Sequence, residues 1–534
     1  TSLPVTAEDY YRLGLKHENF DNRAQALDSY RNAILISEEH GPSHFQLGLM
    51  LLRSADFEGA NHHLRWAAEL GIVTAYYYLG QVAWITRDTD EAEKFYKSVV
   101  PISFPALRGQ IAVCFKRKNW TEAVEHLRNY QPNDEEHASL NTLLAMALYR
   151  SGKESDAQKL FQQILALDPL NLPVLRESSS LEVKDNNDSK SKLERLLNDD
   201  QEYILDMACC YLDMGLDNDA LAILEDASEN WSHPTLFYLI SFLLGESELT
   251  STWRERAQQV GPDLVFPSRL WEIIALQEAI NINPDDEQAK YFLGNYYYSR
   301  QRYDEAIQLW ESALVGLDSF DVIHRNLGLA YWQQKGDLTK ATQFFETGLG
   351  INPDNQDLYI HLDELYKEQN ENLKRAKLLE KMDLINPIRE DLRKRKLAIM
   401  IDLDQHEQAL KIMTREEFVP LEMDQTFHNV YVRALLRNAQ SHIDSGRIAQ
   451  AIAEYHKALE FPANQGVGKP ITLSNAEILY HLGCAYELLG NYRKAFSTWR
   501  EAAQEHHKFG DNQFRYFQMS LDKLGRYSEL GFEG

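Results

Sequence analysis

At 534 residues with a formal charge of −26, the chain has no excess of positive charge to meet the phosphates of a nucleic acid or an anionic membrane surface. Its four cysteines are too few and too scattered for a disulfide framework, and no apolar run of about 20 residues or basic-then-apolar leader is present. An apolar share of 44%, with only 16 Pro, fits packed helices joined by short turns, in an acidic protein expected in the reducing cytoplasm.

The elements follow a ruler that starts near Ala7. Gly14, Gly48, Gly80, Gly294 and Gly483 are each followed twelve residues later by an alanine, at Ala26, Ala60, Ala92, Ala306 and Ala495. Three further pairs keep that spacing with alanine first: Ala145/Ala157, Ala208/Ala220 and Ala439/Ala451. Four residues beyond the second member stands a large side chain: Tyr30, Leu64, Tyr96, Phe161, Leu224, Trp310, Tyr455 or Trp499. Another small one follows at Ala33, Ala67, Ala227, Ala313, Ala458 and Ala502. This pattern predicts a repeated antiparallel helical hairpin whose two helices approach closely at small residues.

Residues 1–169 read as regular units, and Pro169 in "ILALDP" ends one hairpin and begins the next. Residues 170–265 hold one clean unit among degenerate hairpins. Glu182–Lys192 is the most polar stretch of the chain and reads as an extended loop, with a hinge between two arrays as the alternative. Residues 266–415 return to regular units, although Gly328 to Ala341 spans thirteen residues, one too many. Residues 416–534 form a last pair closed by an amphipathic capping helix from about Gln513, because a solenoid must cover its terminal apolar face.

The units resemble the tetratricopeptide repeat, through Leu13-Gly14, Leu47-Gly48, Leu79-Gly80, Leu293-Gly294, Leu327-Gly328-Tyr331 and Leu482-Gly483-Tyr486. The resemblance implies an all-α solenoid, a right-handed superhelix of roughly 13–14 hairpins whose first helices line a concave groove. A second resemblance rests on "ALDPLN", "VFPSR", "RNLGLAY" and "EFPANQGVGKP". These look like the C-terminal half of large bacterial proteins that carry an N-terminal galactose-mutarotase-like domain. Phe418, Pro420 and Glu422 keep part of a loop of those proteins, but its glycines are absent. Because Thr1 is not Met, either the initiator was trimmed or the chain is part of something longer.

Counting from the Leu-Gly anchor places Tyr11, Phe45, Tyr77, Trp84, Tyr291, Asn295, Tyr298, Arg325, Asn326 and Trp332 in the groove. Aromatic side chains there can stack on peptides or sugar rings, or else fill the seam between hairpins. Tyr291, Asn295, Tyr298, Arg325 and Trp332 form the leading candidate surface. Asn295 and Asn326 lie 31 residues apart, like the two asparagines of a clamp for peptide carboxylates. Tyr291, Asp357 and His361, however, occupy the places where cations are needed.

The remaining motifs have ordinary explanations. "ANQGVGKP" has Ala463 and Pro470 where a phosphate loop needs glycine and a hydroxyl. His62-His63 and His506-His507 are adjacent pairs, unsuited to one metal-binding helix face. Arg393–Lys396 follows Glu390 and Asp391, so local ion pairing is expected. No nucleophile with its base and orienter is evident, and no metal or cofactor is expected. The expected function is therefore a non-enzymatic scaffold holding a protein or peptide in its groove, without nucleic acid or membrane. The alternative is the helical half of a larger carbohydrate-active or carbohydrate-binding protein, in contact with a mutarotase-like domain.

Overall fold

A computed structural model describes residues 6–181, 188–200, 202–245, 247, 249–418, 426–462, 464, 474–505 and 511–529. Among them there are thirty α-helices and no strand, as an all-α solenoid requires. Contacts divide the chain into two compact units, Thr1–Asp318 and Ser319–Gly534. This division falls elsewhere than the changes in repeat regularity near 169, 265 and 415.

In the first unit, α1 (Ala7–Asn19) pairs with α2 (Arg23–Ile36), α3 (Gly41–Arg53) with α4 (Phe57–Glu69), and α5 (Thr74–Ile85) with α6 (Thr89–Lys97). The series continues with α7 (Phe104–Lys116) and α8 (Trp120–Asn129), then α9 (His137–Arg150) and α10 (Glu154–Leu167). Three looser hairpins follow: α11 (Leu172–Leu181) with α12 (Asp188–Asp199), α13 (Glu202–Asp213) with α14 (Asp217–Ala227), and α15 (Pro234–Leu244) with α16 (Thr250–Gln259). The unpaired α17 (Leu270–Ile282) packs on α15, and α18 (Glu287–Ser299) with α19 (Tyr303–Leu317) completes the unit.

The second unit holds α20 (Asp321–Ala330) with α21 (Leu338–Ile351), α22 (Gln356–Glu368) with α23 (Asn372–Met382), and α24 (Glu390–Asp402) with α25 (His406–Arg415). It ends with α26 (Thr426–Asp444) and α27 (Ile448–Leu459), α28 (Ala476–Leu488) and α29 (Tyr492–Gln504), and the closing helix α30 (Asp511–Glu529). The fourteen hairpins agree with the repeat count read from the sequence.

The twelve-residue ruler has a sharper cause than two small residues meeting. Each glycine of the first helix leaves room for the large side chain of the second. A Cβ added to Gly294 would lie 2.6 Å from the Trp310 ring, and one on Gly48 2.7 Å from Leu64. Gly14 meets Tyr30, Gly80 meets Tyr96, Gly328 meets Phe345 and Gly483 meets Trp499 in the same way. Tyr96 is also gripped from the next hairpin by Gly109.

The turns are just as regular. In twelve hairpins the residue before the N-cap of the second helix is left-handed, for example Ala55 (φ 58°), Arg87 (φ 64°), Lys118 (φ 59°) and Gly336 (φ 65°). Seven of the twelve are not glycine, so they accept a conformation that L-residues disfavour. The extra residue before Ala341 is absorbed locally. Tyr331–Lys335 forms one π-helical turn continuing α20, the usual way a helix accommodates an insertion.

One expectation changes. Residues 188–192 of the polar stretch begin helix α12 rather than a loop, while residues 182–187 lie outside the described part. The phosphate-loop-like segment around Lys469, His506-His507, Pro420 and Glu422 also lie outside the described residues.

Candidate functional site

The first unit closes on itself. Its early hairpin turns meet helices more than 200 residues later. Tyr296 donates to the Arg53 carbonyl (2.9 Å), Gln277 to the Ala55 carbonyl (3.2 Å) and Gln301 to the Asp21 carbonyl (2.9 Å). Farther along, Lys116 pairs with Asp217 (3.0 Å), and the Arg87 guanidinium lies 4.1 Å from the Phe242 ring centre. Gly215 sits against Trp84 and the Ala112 carbonyl with φ +76°, where only glycine fits both the space and the conformation.

This closure leaves a chamber of about 470 Å³. One face of α5 supplies Tyr77, Gln81 and Trp84, at the i, i+4, i+7 spacing that aligns side chains on a helix. Helix α7 contributes Arg108, α13 contributes Asp206, Cys210 and Asp213, and Arg269 and Trp271 come from the start of α17.

The charges on this wall differ in how far they are satisfied. Arg269 is held by Asp206 (2.6 Å), Glu202 (2.9 Å) and Glu272 (3.5 Å). Asp213 accepts the Trp271 indole N–H (2.8 Å), and the surrounding protein raises its carboxyl above the usual range. Arg108 is exposed and has no hydrogen bond or ion pair among the described residues. Burial pushes the Cys210 thiol up to about 11 and the Cys209 thiol well above its ordinary value, so both stay protonated and poorly nucleophilic at neutral pH.

The residues named from sequence separate into groups. Tyr77 and Trp84 line the chamber. Tyr11 is half-buried beside Tyr30 and His40, and Phe45 meets the edge of Tyr78. Tyr291 is 2% exposed, so it is an interior residue and cannot serve as a surface contact. The Trp310 indole N–H is shared between the Tyr291 carbonyl (3.3 Å) and Asn295 Oδ1 (3.1 Å), while the Tyr298 ring lies 5.2 Å from that of Trp310. These three residues thus serve the seam between α18 and α19.

Arg325, Asn326 and Trp332 belong to the second unit and are half-buried. Arg325 pairs with Asp357 (3.3 Å), and Trp332 stands edge-on to Phe345 and His361. The Arg393–Lys396 run is paired, but mostly not locally: Arg393 meets Glu390 (3.1 Å) on its own helix, while Glu416 (2.7 Å), Asp363 and Glu364 for Arg395, and Asp383 for Lys396 come from elsewhere, and Asp391 pairs with Arg389.

Arg108 was missed for a simple reason. Ile111 stands where other units have glycine or alanine, so the fourth hairpin does not announce itself. Ile111 and Ala123 nevertheless keep the twelve-residue spacing, which puts Arg108 at the position of Tyr77, three residues before the anchor. A metal-compatible trio was also invisible, because Cys114 lies in the last turn of α7 while Glu122 and His126 lie on α8. Their ligand atoms come within 4.8 Å of one another.

The geometry defines a class, an array of helical hairpins locked by a small-into-large contact. Family models described as tetratricopeptide repeat match residues 45–106 and 273–322, residues 325–355, and residues 477–506. The chain therefore carries tetratricopeptide repeats in both units. These matches give no support to the expected mutarotase-like domain or to the carbohydrate reading that depends on it.

Among solved structures, Naa15/Naa10 bound to HypK-THB is 15% identical over 98% of this chain and 81% of its own, with a TM-score of 0.26. The Cut9-Hcn1 hetero-tetramer of APC/C is 12% identical over 90% and 96%, also at 0.26. The human IFIT1 dimer with m7Gppp-AAAA is 14% identical over 81% and 90%, at 0.24. Scores this low say nothing of a shared arrangement or partner.

Proposed function

We propose that the protein is a non-enzymatic scaffold that holds a polypeptide segment on the first-helix face of its second unit. The observation that carries this reading is a ladder of equivalent positions. Arg325 on α20, Asp357 on α22 and Arg389 just before α24 are spaced by 32 residues and joined at 3.3 and 2.6 Å. Beside them stand Trp332 and His361, with ring centres 6.4 Å apart. Partly exposed guanidinium and carboxylate groups next to an indole suit an extended chain, whose amides both donate and accept while its side chains stack. The protonated thiols of the first unit also favour binding over covalent catalysis.

The test places a photo-crosslinking residue at Trp332 and, as a control, at the exposed Leu384. The expected result is a defined polypeptide crosslinked only from position 332 and lost in Arg325→Ala with unchanged helicity. No crosslink at 332, or equal crosslinking from 384, overturns the proposal.

A further inference from the structure

The chamber of the first unit contains one cation and one carboxylate that the protein does not join. Arg108 has no ion-pair partner among the described residues. Among the described residues Asp213 receives only the Trp271 N–H, leaving most of its acceptor capacity unused. The two feel each other's field without pairing. The other charged pair on the wall is already joined, Asp206 Oδ1 accepting from Arg269 at 2.6 Å, so its two charges are matched within the protein.

We propose that this chamber binds a small zwitterion, with its carboxylate on Arg108, its ammonium group on Asp213, and its body between the rings of Tyr77, Trp84 and Trp271. A simple anion would satisfy Arg108 but leave Asp213 facing like charge. A simple cation would reverse the problem, and a neutral molecule would use neither charge, both of which face solvent when the chamber is empty. A molecule carrying both groups resolves the two at once. The guanidinium can hold a carboxylate through two parallel hydrogen bonds, and an ammonium group gains from adjacent aromatic faces as well as from the carboxylate. A volume of about 470 Å³ suits an amino acid with a large side chain or a dipeptide. This assignment is independent of the polypeptide-binding face of the second unit.

The test uses the full chain and a panel of L-amino acids and dipeptides at millimolar concentration. Binding is read by calorimetry and by the fluorescence of the chamber tryptophans. At least one zwitterion should bind, and its deaminated and decarboxylated counterparts should each bind at least ~10-fold more weakly. Arg108→Leu and Asp213→Asn should each cost at least ~10-fold in affinity at unchanged helicity. The asparagine keeps an acceptor for Trp271, and Arg108→Gln serves if leucine perturbs folding. Amino acids binding better than dipeptides identify a free metabolite, and the reverse identifies a short peptide. Either result supports the chamber assignment. Absence of any zwitterion binding overturns it, as does binding that survives both substitutions or a deaminated analogue that binds equally well.

Discussion

The two units use the same hairpin to opposite ends. In the first, turns and helices far apart in sequence are tied by hydrogen bonds to backbone carbonyls, as between Tyr296 and Arg53 or Gln277 and Ala55, and the inner face becomes a chamber wall. In the second, neighbouring first helices are linked by ions. Arg375 is 3% exposed and donates to Asp363 (2.7 Å) and Asp402 (2.9 Å), while Arg395, Arg433 and Lys367 complete the network. Carbonyl contacts are short-range and directional, so they fasten one layer onto another. Ion ladders bind each hairpin only to its neighbour and leave charged groups partly open.

Breaking the ion network should have the largest effect. Arg375→Leu leaves a buried aspartate short of its main partner and should cost about 3–5 kcal/mol. Hydrogen exchange followed peptide by peptide should show the loss in residues 319–534, with the first unit protected as before. Comparable loss in both units would show that the two stabilise one another.

A kind of contact that each unit repeats within itself comes next. Gly80→Ala drives a methyl group into Tyr96, which Gly109 prevents from retreating, and should cost about 2–3 kcal/mol. Gly350→Ala is the control in the second unit. A Cβ there meets nothing within 4 Å, so the substitution should stabilise by about 0.5–1 kcal/mol through helix propensity alone. Denaturant midpoints of the two variants should move in opposite directions.

A further effect depends on pH. Burial lowers His63 from its ordinary 6.5 to about 4, with His44 Nδ1 3.0 Å from its own Nδ1. The folded chain therefore binds this proton less readily than the unfolded chain. Stability from His63 is full above pH 6.5 and falls as pH drops toward 4, by roughly 2 kcal/mol. His63→Gln should flatten that part of the midpoint–pH curve of the first unit, and an unchanged slope would assign it to other groups.

Local order was largely readable in the sequence, because a glycine and a ring sixteen residues later, such as Gly80 and Tyr96, belong to the same hairpin. The thirteen-residue interval before Ala341 likewise marked the place of the π-helical turn. The chamber was not readable. It depends on Trp84 reaching Gly215 and Ala55 reaching Gln277, contacts set by small rotations accumulated over many hairpins. No single repeat carries that sum. Tyr291, Asn295 and Tyr298 meet Trp310 inside their own hairpin, between α18 and α19, and not at a seam between neighbouring hairpins.

The left-handed turns have a consequence for engineering and for evolution. Seven of the twelve hold side chains where glycine would be easier, so the array has a reserve of unused stability distributed in small equal portions along its length. Such a chain can be stabilised one hairpin at a time at Lys118, Asn370 and Asp404, which take no part in the contacts that close the chamber or in the ladder.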